Sequence, residues 1–158
     1  MTRTDFAIEP GMHEIVMTRM FDAPRDLVFK TITDPRLIPQ WWGPRRHTTT
    51  VDEMELRPGG KWRYVVRDPQ GTEHAFHGFY HDITAPERLV MTFEYEGQPR
   101  SVLLETITLD ELHGKTRLTD QSVFQSVADR DGMVQSGMEA GATEMMDRLA
   151  ELMATARV

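Results

Sequence analysis

From residue 47 to 124 apolar and polar side chains alternate with a period of two, and beyond 126 the period lengthens to that of a helix. The alternation predicts strands over 47–56, 61–67, 73–83, 88–96, 102–109 and 115–124, with an earlier one over 13–21. Turn chemistry marks the breaks: Pro58-Gly59-Gly60, Asp68-Pro69-Gln70-Gly71, Ala85-Pro86, Glu96-Gly97-Gln98-Pro99 and His113-Gly114. Gaps this short join neighbours in an antiparallel meander. After the first strand, Asp22-Ala23-Pro24 and Asp34-Pro35 each set up a short helix, with proline where the missing N–H costs nothing. Leu27, Val28 and Ile32 form the inner face of the first; the second runs out around Trp41-Trp42-Gly43-Pro44. Residues 1–12 read as a flexible arm or an irregular edge.

The C-terminal run, 126–155, organises the rest. Wound at about 100° per residue, Val134, Met138, Gly141, Ala142, Met145, Leu149 and Leu152 fall within an arc of roughly 100°, opposite Glu139, Thr143, Asp147 and Glu151. Ser126 with Asp129 three residues on is close to a capping box, and Asp131-Gly132 is where the start could slip. A helix over 129–154 would be about 39 Å long at about 1.5 Å per residue. Gly141 gives up about 1 kcal/mol of helix propensity, which reads as close approach to whatever the helix packs on. The order is then one strand, two short helices, six strands and one long helix. An α+β fold, with a curved antiparallel sheet wrapped around the C-terminal helix, buries both apolar faces.

Composition narrows the function. The 158 residues suit one domain, and 39% hydrophobic with 27% charged residues is an ordinary globular balance. A net charge of -7 argues against nucleic acid and against an anionic membrane surface, both of which call for clustered Lys and Arg. The absence of cysteine excludes disulfides, thiolate metal sites and cysteine nucleophiles. Without a signal-peptide core or an apolar run near the ~20 residues that span a bilayer, the cytoplasm is the default location.

Several stretches, in this order, resemble the helix-grip superfamily of START domains, polyketide cyclases and birch-allergen-like proteins. They are Thr18-Arg19-Met20-Phe21-Asp22-Ala23-Pro24, Thr33-Asp34-Pro35 with Trp41-Trp42-Gly43-Pro44, Arg57-Pro58-Gly59-Gly60 with Trp62, and Gly78 with Tyr80. Pro86-Glu87-Arg88-Leu89-Val90, Gly114-Lys115-Thr116-Arg117-Leu118 and the run from Gly137-Met138 to Leu149 complete the set. Within the superfamily the chain is similar to the branch named after the C-terminal domain of the activator of heat-shock protein 90 ATPase. The resemblance implies a cavity between sheet and long helix, roofed by the short helices and suited to a small, mostly apolar molecule. The eukaryotic activator carries a separate N-terminal domain that this chain is too short to contain, which weakens a chaperone role.

The candidate ligand-binding residues are Trp41, Trp42, Trp62, Tyr64, Phe93, Tyr95, Asp120, Met138 and Met145. Trp62, Tyr64 and Val66 share one strand face, as do Leu89, Met91, Phe93 and Tyr95; each face is either cavity wall or plain core. Tyr64, Tyr80 and Tyr95 can supply orienting hydroxyls to an otherwise apolar pocket. Trp41 and Trp42 either roof the cavity mouth, or divide into one core anchor and one partly exposed ring. Met138 and Met145 belong to a methionine-rich helix suited to a deformable wall or to an ordinary core. In the last strand Leu118, Asp120, Ser122 and Phe124 share a face, and the two apolar members turn that face inward. Asp120 is then either a polar group in the cavity, as a raised-pKa acid or base, or is returned to water by a bulge or strand end, the second by a small margin.

No metal or cofactor is expected. His77 and His81 share a strand face, but four residues at about 3.3 Å each hold their Cα atoms ~13 Å apart, too far to ligate one zinc at ~2.1 Å. His74 points to the other face. Pro58-Gly59-Gly60 lies between strands and opens no helix, so it is no phosphate loop, and no nucleophile elbow is present. The leading expectation is a carrier or sensor of a small hydrophobic molecule. A cyclase- or hydrolase-type enzyme using Asp120 with a tyrosine is the alternative, a chaperone-interaction module the third. A homodimer is left open.

Overall fold

Eight strands form one antiparallel sheet in the computed structural model, which describes residues 2–156. They are β1 (Thr4–Ala7), β2 (Glu14–Phe21), β3 (Thr48–Met54), β4 (Lys61–Arg67), β5 (Glu73–Thr84), β6 (Arg88–Tyr95), β7 (Val102–Leu112) and β8 (Lys115–Phe124). Across the sheet the order is β1-β2-β8-β7-β6-β5-β4-β3. The meander from β3 to β8 thus returns to lie beside β2. Between β2 and β3 the chain crosses to the far edge through helix α1 (Arg25–Thr33) and a 3-10 turn, Ile38–Gln40. Helices α2 (Val127–Gln135) and α3 (Met138–Ala156) end the described chain. Register shifts at Val51/Glu53 in β3 and at Tyr80/Asp82 in β5 are bulges, which bend a sheet and increase its twist. The curved sheet and its C-terminal helix are those expected from the alternation and the helical stripe.

Three local expectations change. The N-terminal stretch, whose Met1 lies outside the described residues, contains a paired edge strand: Thr4 lies opposite Arg19 and Ala7 opposite Val16. Arg19 is 5% exposed and donates to Thr4 Oγ1 at 2.9 Å and to Asp147 Oδ1 at 2.7 Å, so this arginine ties β1 and α3 to β2. The second short helix shrinks to a single 3-10 turn because Pro39 has no N–H to donate and Gly43-Pro44 ends the run.

The C-terminal helix is two helices. Ser126 Oγ accepts from the Asp129 N–H at 3.0 Å, so the expected cap is present, but it opens α2. At Gly137 the backbone turns to φ +88°, where a glycine closes one helix, and its carbonyl accepts the Gly141 N–H to start the next. The 19 residues of α3 make it about 28 Å long at about 1.5 Å per residue, in place of 39 Å. Gly141 is not a point of close approach: a Cβ there would meet nothing within 4 Å.

The core sits where α1 and the C-terminal half of α3 meet the concave face. Phe21, Val28, Ile38, Trp62, Tyr80, Leu109, Leu118, Leu149 and Met153 are all buried there. Among the described residues no helix is long and apolar enough to cross a membrane.

Candidate functional site: a cavity between sheet and helix

Where α3 is buried by Met146, Leu149 and Met153, sheet and helix touch. Towards its N-terminus the helix instead turns Met138, Gly141, Ala142 and Met145 to a cavity of about 460 Å³. The bare Cα of Gly141 and the single methyl of Ala142 leave that space open, which explains a glycine that no neighbour crowds.

Eight of the nine candidate residues line this cavity: Trp41, Trp42, Trp62, Tyr64, Phe93, Asp120, Met138 and Met145. Trp41 is mostly anchor, 6% exposed, with its indole N–H donating to the Thr31 carbonyl at 3.2 Å and so fastening the 3-10 turn to α1. Trp42 is the ring that enters the pocket, edge-on to Tyr64 and to Phe76 with centroids 5.1 Å apart in each case. The two tryptophans thus divide the roles of anchor and roof. Trp62 packs across Gly78 and donates its indole N–H to the Thr92 carbonyl at 3.2 Å.

Tyr95 does not line the cavity. It is the last residue of β6, and its ring stacks on the side of Phe76 at 5.0 Å. Its hydroxyl lies 2.9 Å from His74 Nδ1, so it holds the wall from behind while His74 faces in.

Asp120 faces inward. Strand β8 runs without a bulge between β2 and β7, with Asp120 opposite Met17 on one side and Ile107 on the other. The bulge that would have returned it to water is absent. Protein surrounds its carboxyl group, the accessible part of the residue faces the cavity, and Oδ1 has no hydrogen-bond partner. Burial pushes its pKa well above the carboxylate range and the nearby Glu105 charge pushes it further, while Ser122 pulls weakly the other way. Tyr64 and Tyr80 lie close together: burial holds the Tyr64 hydroxyl well above its ordinary pKa and pushes Tyr80 up to about 12. A carboxyl group whose pKa is raised in this way holds its proton to higher pH and can then donate a hydrogen bond or a proton to a bound molecule.

Glu105 is the residue that sequence reasoning missed, although the signal was present. Leu103, Glu105, Ile107 and Leu109 alternate on β7 as Leu118, Asp120, Ser122 and Phe124 do on β8, and Glu105 lines the cavity opposite Ser122. His47 also lines it, with Nδ1 buried and unpartnered. It stands in the loop just before β3, not at the start of the strand as the alternation predicts, so its inward direction could not be read from the period.

That loop forms the rim. Arg148 on α3 donates to the carbonyls of Gly43 at 2.5 Å, Pro44 at 3.3 Å and Gln40 at 3.1 Å. Arg45 pairs with Glu151 at 2.8 and 2.5 Å, and its N–H donates to Glu144. Charged hydrogen bonds therefore strap residues 40–45 to the helix over the cavity. Pro44 and His47 also border a second, more open and more polar depression beside Glu139, Thr143 and Asp147, so the two hollows adjoin at this rim. His77 lies on the opposite, convex face, with Nδ1 2.9 Å from Glu96. Among the described residues no three His, Cys, Asp or Glu side chains are placed to hold a metal ion.

Solved structures share this architecture. A protein from Arthrobacter aurescens, 26% identical, superposes with a TM-score of 0.88 over 96% of this chain and 91% of its own. A protein from Rhodobacter sphaeroides, 24% identical, superposes at 0.89 over 97% and 99% of the two chains. The AHSA1 protein from Silicibacter pomeroyi, 20% identical, does so at 0.74 over 90% and 99%. Comparison with curated proteins returns no match. Residues 22–154, from the end of β2 through nearly all of α3, match a family described as Activator of Hsp90 ATPase homolog 1-like protein. With the helix-grip architecture and a match over most of its length, the chain belongs to the Activator of Hsp90 ATPase homolog 1-like family.

Proposed function

We propose that this protein binds a small, mostly apolar molecule in the cavity between sheet and α3, as a carrier or sensor. The observation that carries the reading is a volume of about 460 Å³ walled by aromatic and methionine side chains, with its acids confined to Glu105 and Asp120. Ligand pockets combine an apolar lining with a few convergent polar groups in this way. Native mass spectrometry of freshly purified protein tests it. The expected result is a bound small molecule that disappears in Ala142→Trp, where an indole fills the space beside Met145. An unliganded mass, together with uptake of a polarity-sensitive dye that Ala142→Trp leaves unchanged, overturns it.

A second reading, an enzyme of the cyclase or hydrolase kind, is favoured by one feature. Asp120, its pKa raised by burial and by Glu105, lines the same enclosed site as Tyr64, an environment that suits a general acid. Asp120→Ala separates the two readings: an enzyme loses turnover of its substrate, whereas a carrier keeps binding with a modest change.

A further inference from the structure

The charges around the cavity are one-sided. Its lining includes two carboxylic acids, Glu105 and Asp120, and two imidazoles, His47 and His74, but no lysine or arginine. Glu105 lies opposite Ser122 and Asp120 opposite Ile107, so the two acids are diagonal neighbours on adjoining strands, with backbones about 7–8 Å apart. Buried carboxylates normally recruit a cation or several donors. Here the buried arginines are committed elsewhere: Arg19 to Thr4 and Asp147, Arg130 to Asp131 and the carbonyls of Glu9 and Glu14. Asp120 Oδ1 is left with no donor at all.

The aromatic part of the lining suits positive charge. Trp42, Tyr64 and Phe76 meet edge to face at 5.1 Å, and Phe76 and Phe93 lie 5.6 Å apart, so several ring faces border the same space. Ring faces attract cations, more strongly where water is excluded. A carboxylate or phosphate head would instead set a further acidic group beside Glu105 and Asp120, in a space lined by no lysine or arginine.

Resting on the reading of the cavity as a binding site, we infer that its ligand is an apolar amine, whose ammonium group sits on Glu105 and Asp120 beneath the aromatic wall. The hydrocarbon part then lies along Met138 and Met145. The site is also coupled to protons. The polar and titratable groups that share the lining with Asp120 are Glu105 from β7, Ser122 from β8, Tyr64 from β4, Tyr80 and His74 from β5, and His47 from the rim, while β2 and the helices present only apolar side chains to the cavity. A cation placed among them favours the ionised form of Asp120, so uptake releases a proton and tightens as pH rises, until the amine itself loses its charge.

Three ten-carbon probes that differ only in the head group test the inference: decylamine, decanol and decanoate, titrated calorimetrically below their micelle concentrations at pH 7.5. Decylamine is expected to bind about tenfold or more tighter than decanol, the worth of one charge-assisted hydrogen bond, with decanoate weakest. Asp120→Asn with Glu105→Gln should erase that advantage, bringing decylamine to the level of decanol in the same variant. Heats in buffers of different ionisation enthalpy should report proton release by decylamine alone. Ala142→Trp, or Gly141→Leu should that variant misfold, must abolish uptake, which separates cavity binding from adsorption to a chain of net charge -7. If decanol or decanoate matches decylamine, or the double variant keeps the preference, the amine inference falls and the cavity reading stands. If no probe binds in a way that the blocking variants prevent, both fall.

Discussion

Asp120 carries a cost that the fold retains. Its pKa in the folded chain lies above the unfolded value of 3.8, so its contribution is most favourable below that pH and is lost as pH rises through the raised folded value. Asp120→Asn removes the charge that burial penalises. It is expected to stabilise the protein at pH 7–8 by about 1–2 kcal/mol, an advantage that shrinks towards pH 4 in chemical denaturation. Equal gains at both pH values would show that the carboxyl group is not held in the way described. Gly78 marks the opposite case, a position with no slack. A Cβ there would lie 1.8 Å from the Thr92 carbonyl oxygen and 2.7 Å from the Trp62 indole nitrogen. Gly78→Ala is expected to cost about 2–3 kcal/mol or more and to shift Trp62 fluorescence, because neither the backbone nor the buried ring can yield cheaply.

Two glycines that the expected single helix over 129–154 would both have contained part company as elements of structure. Gly137 adopts φ +88° to separate α2 from α3, so Gly137→Ala should destabilise by about 1–2 kcal/mol. Gly141, with open space around its Cα, should tolerate alanine and gain up to about 1 kcal/mol of helix propensity. Opposite signs in thermal melts of the two variants are the expected outcome; matching signs would place the helix break elsewhere. Strands β4, β5 and β6 share an outer-face network in which Arg63 binds Glu96 at 2.9 and 3.0 Å while His77 approaches the same carboxylate. The Arg63 hydrogen bonds, with a smaller share from His77, hold the Glu96 pKa down to about 2 from its ordinary 4.5. Its stabilisation is therefore complete above 4.5 and is lost as pH falls through about 2. Discounted for partial exposure, the loss amounts to about 1–2 kcal/mol and should vanish from the acid limb of the unfolding profile in Glu96→Gln.

For the molecule as a whole, the cavity is packing forgone between sheet and helix. One end of α3 is sealed by methionine and leucine while the other is held off the sheet, and the rim is strapped by Arg45 and Arg148. A ligand that fills the gap should stabilise the fold by mass action, by about 2.7 kcal/mol at a hundredfold excess over Kd, and so raise the melting temperature. Ala142→Trp should remove that ligand-dependent shift. Alternation and turn residues already contained the six-strand meander, with β4 and β8 beginning and ending where expected, since period two and glycine or proline breaks are local properties of the chain. They also put Asp120 and Glu105 on inward alternations, but the bulge or strand end favoured for Asp120 is ruled out only by the unbroken pairing of β8 with β2 and β7. What the chain could not state in advance depends on neighbours distant in sequence. The edge strand at Thr4 forms around the guanidinium of Arg19, and the histidine at the rim is placed by a loop that Arg148 holds from a hundred residues away. A pattern of side chains decides which face turns inward; only the meeting of those faces in space decides whether the interior closes solid or leaves room.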